Sequence, residues 1–161
     1  KISEKSFYKA MKSFKGLSHR FEIFLKKGNI TFINDSKATS FTATESALHS
    51  LKNVYWILGG LPKKNDKFKL SKYKKNIIKC YLIGQNVNFF KNQVKGRVDS
   101  LITKNLKNSI IQISKDCKLQ KHANRSILLS PGAASFDQFE NFEKRGEEFK
   151  RLCRKYVRKF I

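Results

Sequence analysis

The run Asn34-Asp35-Ser36-Lys37-Ala38-Thr39-Ser40 puts six hydrogen-bonding side chains into seven positions directly after the apolar-rich stretch ITFI. Two more unusual segments follow apolar runs: GGLPKKND (59–66) after VYWIL, and SPGAASFDQF (130–139) after SILL. Together they hold Lys37 and Lys63 as cations, Thr39 and Ser135 as hydroxyl donors, and backbone N–H groups where helices begin. That set suits an anion, a carboxylate in particular. Asp35 suits a sugar hydroxyl or a metal-bound water. Structural roles compete with each: Asp35 as the cap of the following helix, Thr39 and Ser135 as caps, and Lys63, with Lys64 beside it, as one solvated lysine among many.

For three such loops to meet, the elements before them must be parallel strands of one sheet. VYWILGG (54–60), KCYLIG (79–84) and SILLSPG (126–132) are continuous apolar runs ending in glycine, the pattern of strands buried on both faces. SLITKN (100–105) is a weaker strand. Helices are predicted over 42–52, with a capping-box spacing from Thr42 to Glu45, and over 68–76, 85–95, 107–120 and 138–158. The last sets Phe139, Phe142, Phe149, Leu152 and Tyr156 roughly on one side. Residues 21–25 and 30–33 flank a Lys-Lys-Gly-Asn turn and read as a β-hairpin. An N-terminal helix over 3–14, capped by Ser3 and ended by Gly16, spaces Phe7, Met11 and Phe14 at helical intervals. The expected class is α/β: a hairpin, then a mostly parallel sheet with helices on both faces. Ligands of such sheets bind beyond the carboxyl ends of the strands, where all three polar segments lie. The one plausible domain boundary is near residue 16.

The chain has 161 residues, 40% hydrophobic, enough for one domain with a core. No apolar run is long enough to span a membrane, and the N-terminal residues lack a signal-peptide core. The first residue is Lys, which points to a fragment or excised domain. Cys80, Cys117 and Cys153 are far apart and odd in number, as are His19, His49 and His122, so neither set reads as a metal site; reduced thiols in a cytosolic protein are the economical reading. The net charge of +23 raises nucleic-acid binding as an alternative, but the lysines are scattered and form no basic stripe. No G-x-x-x-x-G-K-[ST] or G-x-G-x-x-G phosphate loop is present, so most of any ATP must be held elsewhere. No G-x-S-x-G elbow supports a hydrolase triad.

GLSHRFE (16–22), INDSKATS (33–40), WILGG followed by Lys63, and LLSPGAASFDQFENFEKRGEEF (128–149) together resemble the C-terminal domain of the D-glutamate-adding Mur ligases, UDP-N-acetylmuramoyl-L-alanine:D-glutamate ligases. The resemblance runs from about residue 16 to the end. It implies a Rossmann-like domain, at 16–161, that binds the incoming amino acid, with 1–15 as linker or as the last helix of a preceding central ATPase domain. The family's first domain holds the UDP-sugar. The implied activity is cytoplasmic, ATP- and Mg2+-dependent peptide-bond formation through an acyl phosphate in peptidoglycan precursor synthesis, by an enzyme expected to be monomeric. Carried over by matching motif, Thr39, Lys63 and Ser135 hold the D-glutamate carboxylates. Phe136, through its backbone, and Phe142, through its ring, line that pocket. Arg20 reaches the ATP phosphates, Asp35 the ribose, and Lys37 the phosphate or substrate anions. Arg20 also reads as a surface charge, and Phe142 as core on a helical stripe. Ser40 stands where the family usually has Asn, and no Gly follows Lys63. A related ligase such as folylpolyglutamate synthase is the alternative within the enzymes.

Overall fold

The three apolar runs are parallel strands of one six-stranded sheet, in the order β1-β2-β6-β3-β4-β5. This is a computed structural model and describes residues 2–14, 16–64, 66–120 and 124–160; Asn65 and His122 lie outside them. β1 (Glu22–Lys27) and β2 (Ile30–Asn34) form the expected antiparallel hairpin. β6 (Arg125–Leu129) lies parallel between β2 and β3 (Val54–Gly59). β4 (Ile77–Ile83) and β5 (Ser100–Lys104) extend the sheet, again parallel.

All six residues of β3 are buried because helices cover both sides. Tyr55 and Ile57 pack with Leu106, Ile110 and Ile113 of α4 (Leu106–Leu119) and Phe149 and Leu152 of α5 (Phe142–Tyr156). Val54, Trp56 and Leu58 pack with Phe41 and Leu48 of α2 (Phe41–Ser50) and Phe90 and Val94 of α3 (Val87–Val94). The alternation follows from the strand's two-residue side-chain period. α1 (Glu4–Ser13), capped by Ser3 as expected, buries none of its residues.

Three expectations need correction. The start of α2 is not a Thr42–Glu45 box: Ser40 is the cap, its Oγ accepting the Ala43 N–H at 3.4 Å, while Glu45 accepts the Lys69 N–H at 3.2 Å. Asp35 does not cap this helix either. The predicted helix over 68–76 is two short 3₁₀ turns, Leu70–Lys72 and Lys74–Asn76, neither with a side-chain cap; Phe68 and Leu70 are held in the core, and this tertiary anchoring overrides a weak local pattern. The last helix starts at Phe142 rather than near 138. The Ser135 carbonyl takes the Gln138 and Phe139 N–H groups into a turn, and Asn141 caps the helix by accepting the Lys144 N–H at 2.8 Å.

Candidate functional site

β2, β6 and β3 are neighbours, so the loops after them meet at one edge of the sheet. The Asp35 N–H donates to the Leu129 carbonyl at 2.8 Å, and the Gly59 N–H to that of Pro131 at 3.0 Å. Leu61 and Ala134 exchange two backbone hydrogen bonds of 2.9 and 3.0 Å, which zips the second loop to the third. That approach needs glycine at 60: its φ is +138°, and a Cβ there would lie 2.2 Å from the Ala134 carbonyl oxygen. At the far end of the second loop, Asp66 accepts the Phe41 N–H at 3.0 Å, which ties this loop to the start of α2, next to Thr39.

The first loop is also tied to α5 and to the chain before β1. Ser36 Oγ donates to the Phe142 carbonyl at 2.8 Å, and the Lys37 N–H donates to the His19 carbonyl at 3.0 Å. His19 and Phe21 both have positive φ, 63° and 47°, a conformation costly for bulky residues. Both are held by acceptors. Glu22 Oε2 takes the His19 N–H at 3.0 Å, and Asp35 Oδ1 takes the Phe21 N–H at 3.1 Å. Asn34 Nδ2 donates to both His19 Nδ1 (2.9 Å) and Glu22 Oε2 (3.0 Å). His19 Nδ1 is therefore an acceptor, and the ring proton sits on Nε2, facing Glu147 at 3.5 Å.

Asp35 is buried, and its other oxygen accepts the Ser130 hydroxyl at 2.7 Å. Burial raises its pKa above the usual carboxylate value; the Ser130 hydroxyl, the Phe21 N–H and the charge of exposed Arg20 oppose the rise. Beside Asp35 lies a hollow of about 200 Å³, lined also by Phe21, Ala43, Ser46, Ala47 and Ser50. A carboxylate has spare lone pairs beyond the two used here, so Asp35 can still accept a hydroxyl from a bound molecule.

Lys37 Nζ stands 3.9 Å above the centroid of the Phe142 ring, a cation–π contact. Phe142 is only half-buried and belongs to neither core, so it does not extend the α5 stripe that Phe149 and Leu152 make. Ser135 is buried, Thr39 half-buried, and Lys63 and Lys64 are both exposed. The Phe136 side chain is 70% exposed. Arg20 thus pairs by charge with Asp35, and Lys37 with the Phe142 ring, whereas exposed Lys63 reaches the edge only through its loop. Among the described residues no three His, Cys, Asp or Glu side chains stand together as a metal-binding group.

Arg145, which no local pattern in the sequence singles out, joins the first loop to the third. It is 1% exposed. Its Nε donates to Ser36 Oγ at 3.0 Å, and its Nη2 to the Ser36 and Ala133 carbonyls at 2.9 and 3.0 Å. Ser36, Ser130 and Asp66 were likewise unassigned. Each sits within five residues of a named candidate, but only its partner, distant in sequence, reveals its role. Gly146 follows from the same packing: a Cβ there would meet His19 Nδ1 at 2.2 Å.

No family model matches the chain. Individual relatives do. The chain is 42% identical over 144 residues to the UDP-N-acetylmuramoylalanine–D-glutamate ligase of Nitrobacter hamburgensis, covering 89% of this chain and 31% of the relative. It is 39% identical over 155 residues to that of the Wolbachia of Brugia malayi (96% and 31%), and 37% identical over 152 residues to that of Rickettsia conorii (94% and 30%). The chain spans about a third of the length of these relatives. Conserved at this level over about nine-tenths of its own residues, and folded as a mostly parallel α/β sheet, the chain is homologous to a domain-sized third of the D-glutamate-adding Mur ligases.

Proposed function

We propose that this chain is the C-terminal, amino-acid-binding domain of an ATP-dependent ligase that joins D-glutamate to UDP-N-acetylmuramoyl-L-alanine. In that reaction an alanyl carboxylate oxygen attacks the γ-phosphorus of ATP, the bond from that phosphorus to the β,γ-bridging oxygen breaks, ADP leaves, and an acyl phosphate forms. The neutral amine of D-glutamate attacks the acyl carbon, the tetrahedral intermediate collapses, the C–N bond remains, phosphate leaves, and the amine's surplus proton is lost to solvent. The substrate amine is the nucleophile, so the protein must supply position and charge rather than a nucleophile of its own. Lys63, Thr39 and Ser135 hold the D-glutamate carboxylates, with the Phe136 backbone and the Phe142 ring as the pocket wall. Lys37, propped on that ring, faces the phosphoryl and acyl oxygens. Asp35 takes a ribose hydroxyl, with the adjoining hollow giving the nucleoside room, and Arg20 reaches the phosphates once the preceding domains close. Those domains hold most of the ATP and the Mg2+.

The observation that carries this reading is the convergence of the three strand-end loops, with Lys37, Thr39, Lys63 and Ser135 on them, in a chain homologous to ligases of that name. In the whole ligase, Thr39→Ala and Lys63→Ala should raise KM for D-glutamate tenfold or more, by roughly the loss of one charge-assisted contact each. Lys37→Ala should chiefly lower kcat. Wild-type kinetics for both Lys37→Ala and Thr39→Ala would leave INDSKATS as a polar turn ahead of a helix.

A further inference from the structure

Arg145 is a buried cation with no carboxylate within ion-pair distance among the described residues. Its three hydrogen bonds end on neutral groups, the Ser36 hydroxyl and the carbonyls of Ser36 and Ala133. Its Nη1 is buried without a partner and lies against Gly60, 3.2 Å from where a Cβ would stand. The guanidinium therefore bonds Ser36 in the first loop and Ala133 in the third, and it fills the space that a side chain at Gly60 of the second would need. Burial lowers its pKa to about 10, opposed by the more distant charge of Asp137, so it stays protonated at neutral pH. A buried charge is costly unless paired, and hydrogen bonds to neutral dipoles offset only part of the cost. Where stapling alone is needed, an uncharged donor would serve; what the arginine adds is positive charge beneath the point where the loops meet.

We infer that Arg145 is a positioning residue of the amino-acid site: it ties the first loop to the third beside Gly60 of the second, and leaves its charge without an ion-pair partner until an anionic substrate binds above it. This rests on the functional reading given above. The substrate does not touch Arg145, since Nη1 is covered by protein; the effect passes through the loops and through the field. Two parts can be separated by substitution. Arg145→Lys keeps the charge and loses the fork, whereas Arg145→Gln keeps hydrogen-bonding capacity and loses the charge.

The test is steady-state kinetics in the whole ligase, with thermal melting as the check on folding. Arg145→Gln should raise KM for D-glutamate tenfold or more while KM for ATP stays within about twofold. Arg145→Lys should recover part of that loss, and Ser36→Ala, which removes one leg of the staple without altering charge, should change KM for D-glutamate less than either. Equal KM values for the Lys and Gln variants, or wild-type KM in both, would overturn the inference. If the Gln variant does not fold, Arg145→Lys decides alone: a rise of about threefold or more in KM for D-glutamate at unchanged KM for ATP supports the inference, and any smaller rise overturns it. A ligase that takes no D-glutamate at all defeats the functional reading; a D-glutamate ligase indifferent to Arg145 defeats only this inference.

Discussion

Asp35 has two duties that pull in opposite directions. It holds the strained Phe21 backbone and the Ser130 hydroxyl, yet it is ionisable and buried. Because burial raises its folded pKa above the unfolded 3.8, the folded chain keeps a proton there that the unfolded chain has lost. Stability from this group therefore falls as pH rises from 3.8 through the raised folded value, and it is level above that. Glu22 and Asp116 act in the opposite sense. Despite burial, hydrogen bonds and lysine partners hold both below their usual values, and the stability they contribute is lost as pH falls through those lowered pKa values. Asp35→Asn, nearly isosteric, isolates the first effect. Melting curves from about pH 3 to pH 7 should show the variant gaining on the wild type as pH rises, since it lacks the buried charge. In the whole ligase the same change should weaken ATP binding. A constant difference across the pH range would mean that Asp35 titrates alike in both states.

Helix ends explain how α2 and α1 differ. α2 begins where the first loop ends, so its cap sets the direction in which Thr39 leaves the backbone. Ser40 provides the cap, and Asp66, on the second loop, accepts the Phe41 N–H of α2. Ser40→Ala should cost about 1 kcal/mol, the usual worth of such a cap, measured by denaturant unfolding. A loss near zero would mean that Asp66 alone suffices. Asparagine caps as well as serine, so Ser40→Asn should be neutral, which removes the structural weight from that departure from the family pattern. α1 is capped too, but Phe7, Tyr8, Met11 and Phe14 are each more than half exposed. An apolar stripe without a partner adds nothing to the stability of the sheet domain. Deleting 2–14 should leave the melting temperature within about a degree, because no buried surface is removed. A drop of several degrees would show that α1 packs against the sheet. The expected boundary near residue 16 rests on this outcome.

The molecule as a whole is a six-stranded sheet whose polar loops meet at one edge. That edge carries lysine and hydroxyl side chains but no phosphate loop. The 161 residues should therefore show no ligase turnover when supplied with ATP, Mg2+ and both amino-acid and sugar substrates; measurable product from this chain alone would exclude the domain reading. The charge of +23 leaves polyanion affinity as a separate question. Salt titration of duplex binding would answer it, since a nucleic-acid module loses affinity steeply as salt rises. Among the described residues no helix is long and apolar enough to cross a membrane.

The fold was legible where the pattern had one physical meaning. VYWILGG, KCYLIG and SILLSPG read as strands because a strand covered on both faces has no polar face to alternate with. Their glycines mark where the chain turns into the loops, and Gly60 permits the close approach of Ala134. The candidate residues were legible as types: hydroxyls, lysines and one aspartate in segments that leave apolar runs. What remained hidden depends on partners far apart in the chain. Ser36 and Arg145 are 109 residues apart, and within EKRGEEF an arginine reads as solvent-exposed until α5 presses it under two loops. The segment 68–76 read as a helix because local propensity is all that one stretch can reveal, and burial of Phe68 and Leu70 overrode it. Local sequence set the strands, the caps and the chemical types. Only the order β2-β6-β3 brought three loops to one edge, and only packing put an unpaired positive charge beneath them, because burial and charge compensation are properties of neighbours in space.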